Sequence, residues 1–399
     1  MALTLDGTNG IVSSGSITTQ SATGVIFSDS SSLPAASSPY VLKNRIINGD
    51  MRIAQRATTA SNIGSSAYAT LDRFVLDTRI NASPTGSYTQ AQSTDAPTGF
   101  NYSFSVTVTT AGNSLNSAYG FNLAHFIEGY NIADLAWGTA NAQAITLSFW
   151  VKSSITGSYG FGLINASYGA SYVGQYTVTS ANTWEKKTVT IPGPTIGTWD
   201  STTGRGIQLK FSLGTGSGAV TATPNTWIVG EFLDASSSTA SPTFWSTAGA
   251  VWKITGVQLE VGSTATPFER RLYNQELANC QRYFETGYPI GTAPANGAIG
   301  YFDGGSLGTA AYATNNLRSM TFQFCVEKRA APTITLYNTG IGGITANFWA
   351  YYNGAWANYN SAAGASLPTA KSFSVRSTST SSTGVSYMIE GNWAANSEL

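Results

Sequence analysis

The residues best suited to chemistry in this chain are aromatic. The run Phe348-Trp-Ala-Tyr-Tyr-Asn-Gly-Ala-Trp-Ala-Asn-Tyr359 sets tryptophans and tyrosines around an Asn-Gly pair. Asn-Gly is the strongest short hairpin signal, because both residues accept the positive φ of a type I′ turn. A two-residue loop at Asn353-Gly354 pairs Tyr352 with Ala355, Tyr351 with Trp356, Trp349 with Asn358 and Phe348 with Tyr359. Strand alternation then puts Trp349, Tyr351, Trp356 and Asn358 on one face, and Phe348, Tyr352 and Tyr359 on the other. An aromatic platform beside an amide suits a sugar, whose C–H face stacks on a π-surface while its hydroxyls seek polar groups. The competing reading buries both faces under the domain and neighbouring chains, since large aromatics are usually covered. Tyr168, Tyr172 and Trp199 are lesser candidates upstream.

Bond-making chemistry finds little material. His125 is the sole histidine, and no serine sits in anything like a nucleophile elbow. Paired histidines for zinc are missing, and Gly-rich pieces such as Phe302-Asp-Gly-Gly-Ser306 lack phosphate-loop spacing. Glycoside hydrolysis needs two carboxylates about 5 to 10 Å apart across a cleft. Glu231 with Asp234, and Asp50 with Glu260, are the pairs to consider; strand-end solvation accounts for the first. Cys280 and Cys325 have no metal-ligand spacing and read as free thiols or packed small hydrophobes. No catalytic residue, metal or cofactor is expected.

Composition narrows the partners. Charged residues are 10% of the 399, against roughly 25% in typical soluble proteins. Lys plus Arg (20) equals Asp plus Glu (20), so no net field draws the chain to nucleic acid or anionic lipid. Ser, Thr, Asn, Gln and Gly must supply the polar surface, which suits neutral polymers or copies of the same chain. With 42% hydrophobic and 12% aromatic residues the chain has ample core material. Met1-Ala-Leu-Thr-Leu-Asp-Gly-Thr-Asn-Gly10 has no basic and apolar signal pattern, and no apolar span of ~20 residues is present. Synthesis in the cytoplasm is therefore expected.

The elements that must hold these residues are mostly strands. In Ile145-Thr-Leu-Ser-Phe-Trp-Val-Lys152, Ile145, Leu147 and Phe149 face one way while Thr146, Ser148 and Trp150 face the other. Ile254-Thr-Gly-Val-Gln-Leu-Glu-Val-Gly262 alternates likewise, with Val257, Leu259 and Val261 inward. Short strands broken by Gly, Ser and Pro over residues 41–267 predict a β-sandwich. Leu71–Phe74 and Trp227–Phe232 are read as strands, and Ala124–Leu135 as a helical turn or loop. Over residues 268–287, Phe268, Leu272, Leu277, Cys280 and Phe284 make an apolar stripe on a helix of about five turns. Residues 288–399 alternate again and predict a second, C-terminal β domain. The expected fold class is all-β: a jelly-roll sandwich and a second β domain joined by a single connector helix.

The order of these blocks, opened by Ile46-Ile-Asn-Gly-Asp50 and closed by Pro267-Phe-Glu269, resembles carbohydrate-binding-module-like jelly rolls. The opening and closing phrases, and Glu276-Leu-Ala-Asn-Cys-Gln-Arg-Tyr283 in the connector, resemble bacteriophage tail-fibre and other virion receptor-binding proteins. Leu5-Asp-Gly-Thr-Asn-Gly-Ile11, within residues 1–40, resembles their N-terminal virion-attachment segments. The resemblance implies a virion fibre that forms a homotrimer, docks on other tail or capsid proteins through that segment, and binds a host surface glycan. It implies a non-enzymatic role; a virion-associated polysaccharide depolymerase and a purely structural decoration protein are the alternatives. Related sugar-binding jelly rolls hold a structural calcium near the positions of Asp50 and Glu260, but the acidic residue they place before Val257 is Gly256 here, and no metal is carried over.

Overall fold

The computed structural model describes residues 43–61, 68–79, 86–112, 115, 120–298, 307–310, 317–337, 349–352, 355–358, 364–366, 368–378 and 386–399, with 25–26 and 32–33 ahead of them. The chain divides into two units, Met1–Lys43 and Asn44–Leu399. In the first, Val25–Ile26 pairs antiparallel with Ser32–Leu33. The attachment phrase Leu5–Ile11 lies outside the described residues.

The second unit contains a sandwich of two six-stranded sheets. Its strands in chain order begin with β1 Thr59–Ser61, β2 Phe74–Arg79, β3 Ser87–Ser93, β4 Ser103–Thr110, β5 Gly120–Glu128 and β6 Ile145–Ser153. They continue with β7 Gly157–Ile164, β8 Ser171–Val178, β9 Glu185–Ile191, β10 Arg205–Thr215, β11 Trp227–Ile228 and β12 Val251–Val261. One sheet runs β9-β6-β12-β4-β3-β1 and the other β11-β8-β7-β10-β5-β2. Neighbours far apart in sequence, such as β4 beside β12, make this a jelly roll. The all-β class expected from the sequence is the one observed.

Alternation builds the core. Ile145, Leu147, Phe149 and Val151 of β6 are fully buried, and Phe149 meets Phe211 of the opposite sheet edge-on at 5.1 Å. Val257 and Leu259 point inward as read, but Val261 is 38% exposed because β12 outruns the core. Ala124–Leu135 is strand at its start and not a helical turn or loop throughout: it continues β5 to Glu128 and then makes two 3₁₀ turns, Gly129–Asn131 and Ala133–Leu135. Ala124, Phe126, Ile127, Ile132 and Leu135 in it are buried, while Tyr130 is 61% exposed. The expected strand at Trp227–Phe232 shrinks to Trp227–Ile228, and at Leu71–Phe74 the strand starts only at Phe74.

The helix is shorter than its apolar spacing predicts, spanning Tyr273–Gln281. Residues 268–272 are held as a non-helical strap instead: Glu269 accepts the Asn44 amide at 2.8 Å, and Arg271 donates to the carbonyls of Asn44 and Ile46. Beyond the helix, Phe284–Thr286 pairs with Asn392–Asn396. Cys280 is fully buried with Ile47, Ile53, Val75, Phe126 and Leu399, and Leu277 packs beside it. The helix thus lays its apolar side on its own sandwich, while Leu272 is 80% exposed.

Besides the parallel pair Val220–Thr221 and Asp234–Ala235, three smaller sheets lie after the helix among the described residues. Thr333–Tyr337 and Phe284–Thr286 flank Asn392–Asn396; Leu317–Gln323 and Gly364–Ser366 flank Ser372–Thr378. The third has the order Leu307–Ala310, Ser386–Glu390, Trp349–Tyr352, Ala355–Asn358. Leu336, Phe373, Trp393 and Ala395 form a small core shared by the first two. Among the described residues no helix is long and apolar enough to cross a membrane.

Candidate functional site

The aromatic hairpin has the register that a two-residue connection dictates: Trp349 opposite Asn358, Tyr351 opposite Trp356 and Tyr352 opposite Ala355. The side chains of Trp349, Tyr351, Trp356 and Asn358, and the turn residues Asn353 and Gly354, lie outside the described residues.

A second aromatic site lies on the outer face of the β9-β6-β12 sheet. Because Phe149 and Val151 point into the core, Ser148 and Trp150 of β6 point out. Lys186 of β9 stands opposite Trp150, so it shares that face. On the other side β12 bulges between Thr255 and Gln258. Gly256 in the bulge has φ +62°, a left-handed conformation that glycine adopts without a Cβ penalty.

The bulge makes room for rings. A Cβ on Gly256 would lie 2.7 Å from Phe100 Cζ and 3.2 Å from Trp150 Cδ1, so both rings converge over this backbone. Phe100 comes from the loop between β3 and β4, and Phe268 from the strap after β12; they meet edge-to-face at 5.2 Å. The Arg270 guanidinium lies 4.8 Å from the Phe100 ring centre and also donates to the Gly99 carbonyl. Together with Pro267 these residues enclose a groove of ≈ 250 Å³. Trp150, Phe100 and Phe268 are half-buried, while Lys186 and Arg270 are exposed.

The same face carries a charged cluster. Asp95 accepts from Lys253 at 2.7 Å, Lys152 at 2.9 Å and the Trp184 indole at 3.1 Å. Burial raises the Asp95 carboxyl, but the hydrogen bonds from Lys253, Lys152 and Trp184 outweigh it and hold it at about 2. These contacts fix the base of the loop that delivers Phe100.

The other residues singled out from the sequence are engaged within the fold. Asp234 is buried and saturated by the hydroxyls of Ser212, Ser238 and Ser241 and the Ala235 amide. Glu231 lies 3.9 Å from the buried Lys210, which also pairs with Asp77 at 2.7 Å. Asp50 pairs with Arg52, and Glu260 accepts from Gln258 and Thr266. Among the described residues no group of three or more His, Cys, Asp or Glu could hold a metal ion. His125 is buried with Nε2 against the Ile47 backbone; burial, then the nearby Arg73 charge, push its pKa well below the usual value. Tyr172 is buried, Tyr168 is half-buried, and Trp199 packs at 4.7 Å from Trp137 and 5.5 Å from Trp227. Both cysteines are free thiols, Cys280 buried and Cys325 exposed.

The groove was not foreseen, although one signal was legible: a tryptophan, Trp150, on the solvent side of an otherwise Thr/Ser-bearing strand face. Phe268 instead joined the helical stripe, and nothing local linked Phe100 to either.

No family model and no curated protein matches the chain. Solved structures similar to it include the enzymatically active domain of bacteriophage CBA120 tailspike protein 4, at 16% identity and TM-score 0.30, covering 58% of this chain and 23% of that one. They also include TmCBM61 in complex with β-1,4-galactotriose, at 10% identity and TM-score 0.26, covering 55% and 99%. The CBM22-1 xylan-binding domain of Xyn10C from Paenibacillus barcinonensis is similar at 10% identity and TM-score 0.23, covering 53% and 100%.

Proposed function

We propose that this protein is a glycan-binding virion fibre, attaching a phage to host surface saccharides without cleaving them. The observation that carries the reading is the outer-face groove, where a half-buried Trp150 lies beside Phe100 and Phe268 and is flanked by polar and cationic side chains. Such a site offers C–H stacking and hydrogen bonding together, which is what a pyranose requires. The virion setting rests on the sequence phrases around Ile46, Pro267 and Glu276–Tyr283 and on Leu5–Ile11. Assembly as a homotrimer, docking through the N-terminal segment and a second platform at Trp349, Tyr351, Trp356 and Asn358 belong to the same proposal. Several weak sites on one particle would add through avidity.

The test is adsorption of the purified protein to host cells, with a reducing-end assay on host capsule or lipopolysaccharide and the oligomeric mass in solution. Trp150→Ala should lower adsorption while leaving the thermal midpoint near wild type, and no new reducing ends should appear. Saccharide cleavage would establish the depolymerase instead. Adsorption untouched by both Trp150→Ala and the Trp349→Ala, Trp356→Ala pair would leave a structural decoration.

A further inference from the structure

We infer that the Trp150 groove selects a carboxylate-bearing sugar, a uronic or ulosonic acid unit, over neutral hexoses. The inference rests on the glycan-binding reading above and adds the chemical class of the ligand.

The groove is small, aromatic and cationic. Two cationic side chains line the groove, Lys186 and Arg270, and no carboxylate does. Carboxylates nearby are already engaged: Asp95 by Lys152 and Lys253, Glu185 by Lys187 at 2.5 Å, Glu269 by Arg271 and the Asn44 amide. Neither Lys186 nor Arg270 has an ion-pair partner among the described residues. In a chain with zero net charge and only 10% charged residues, two unneutralised cations at one groove are a local departure from the whole.

Their placement also matters. Lys186 is on β9, beside Trp150 on β6, whereas Arg270 reaches the groove from the β12 side. A ring stacked on Trp150 therefore has a cation on each flank. Arg270 is oriented by its donation to the Gly99 carbonyl and by stacking on Phe100, with a second aromatic contact to Phe268 at 5.7 Å. A guanidinium so held keeps free N–H groups for a carboxylate, and its planar fork matches that group. The ≈ 250 Å³ volume is at the small end of ligand sites, which run about 300–1,000 Å³, and suits a single residue of a chain rather than a peptide helix.

The experiment is calorimetric titration of the full chain with a panel of uronate- and sialate-bearing oligosaccharides, each alongside its carboxyl-reduced form. The expected result is at least one acidic ligand bound about tenfold or more tightly than its reduced form, as for a charge-assisted contact. The difference should shrink as salt rises from 0.05 to 0.5 M, because the site is partly exposed and ionic screening shortens. Arg270→Gln and Lys186→Gln should bring the two affinities together while weak binding of the reduced form persists. Equal binding of acidic and reduced forms overturns the carboxylate inference and leaves the glycan reading standing. If neither form of any ligand binds, both fall. If the preference survives in the double Arg270→Gln, Lys186→Gln variant, the carboxylate is read elsewhere and the assignment to this groove is wrong.

Discussion

Single residues set the limits of the groove and of stability. Gly256 serves both: its backbone requires φ +62° and its missing side chain admits the Phe100 ring. Gly256→Ala should cost about 1–2 kcal/mol from the left-handed backbone alone, and displacement of Phe100 should weaken ligand binding in the same variant. Urea unfolding and titration of the variant check the two effects separately. The resemblance to sugar-binding jelly rolls places an acidic residue at this position; here the bulge and the two rings exclude one.

His125 governs an acid limb. Its folded pKa lies well below 6.5, first through burial and then through the Arg73 charge, so the folded state keeps it neutral while the unfolded chain takes a proton as pH falls through that value. The stability it contributes is present above about pH 6.5 and lost below it, with a slope of at most about 1.4 kcal/mol per pH unit. Buried Asp72 works the other way. Burial, countered by Arg56 and Gln55, raises it to about 6, so its folded form gains stability as pH falls through that value. Comparing His125→Gln with wild type between pH 7 and 5 removes the shared Asp72 contribution, and the variant should show the flatter decline.

At the scale of elements, the connector phrase Glu276-Leu-Ala-Asn-Cys-Gln-Arg-Tyr283 is explained by what it grips. Glu128 at the end of β5 accepts from Arg282 Nε at 2.9 Å and Nη2 at 2.6 Å, and from the Tyr283 hydroxyl at 2.6 Å. Glu276 accepts from Asn48, Arg271 and Asn279. Removing Arg282 leaves the buried Glu128 carboxylate without its ion-pair partner and held by the Tyr283 hydroxyl, whereas removing Glu128 leaves an arginine that still reaches solvent. Arg282→Gln should therefore destabilise by about 3 kcal/mol, and Glu128→Gln by less, read as shifts in the urea midpoint. The apolar residues Leu277 and Cys280 meet the chain's own sandwich. Periodicity shows that a helix has a face to bury; it does not show which surface buries it.

The whole second unit is tied together by its last residues. Glu398 pairs with Arg56 at 3.1 Å and with the fully buried Arg73, both close to the sandwich core. Arg329 spans from the Thr203 carbonyl to those of Ser397 and Glu398. Asn44–Leu399 should consequently unfold in one transition, with tryptophan fluorescence and far-ultraviolet dichroism coincident. Two separated transitions would mean that the C-terminal sheets form an independent domain, as the alternating sequence after residue 288 suggests when read alone.

The sequence by itself determined the all-β class, the inward row of β6, the inward Val257 and Leu259 of β12 and the register of the Trp349–Asn358 hairpin. These follow from the two-residue period of a strand and the backbone needs of a turn, which are local. Tertiary structure alone decided that Phe100, Trp150 and Phe268 share a groove and that the helix docks on its own chain. Those outcomes depend on which distant loop lies over which outward face and on a bulge at Gly256. Alternation fixes the side of the sheet a residue occupies and carries no information about what is folded across it.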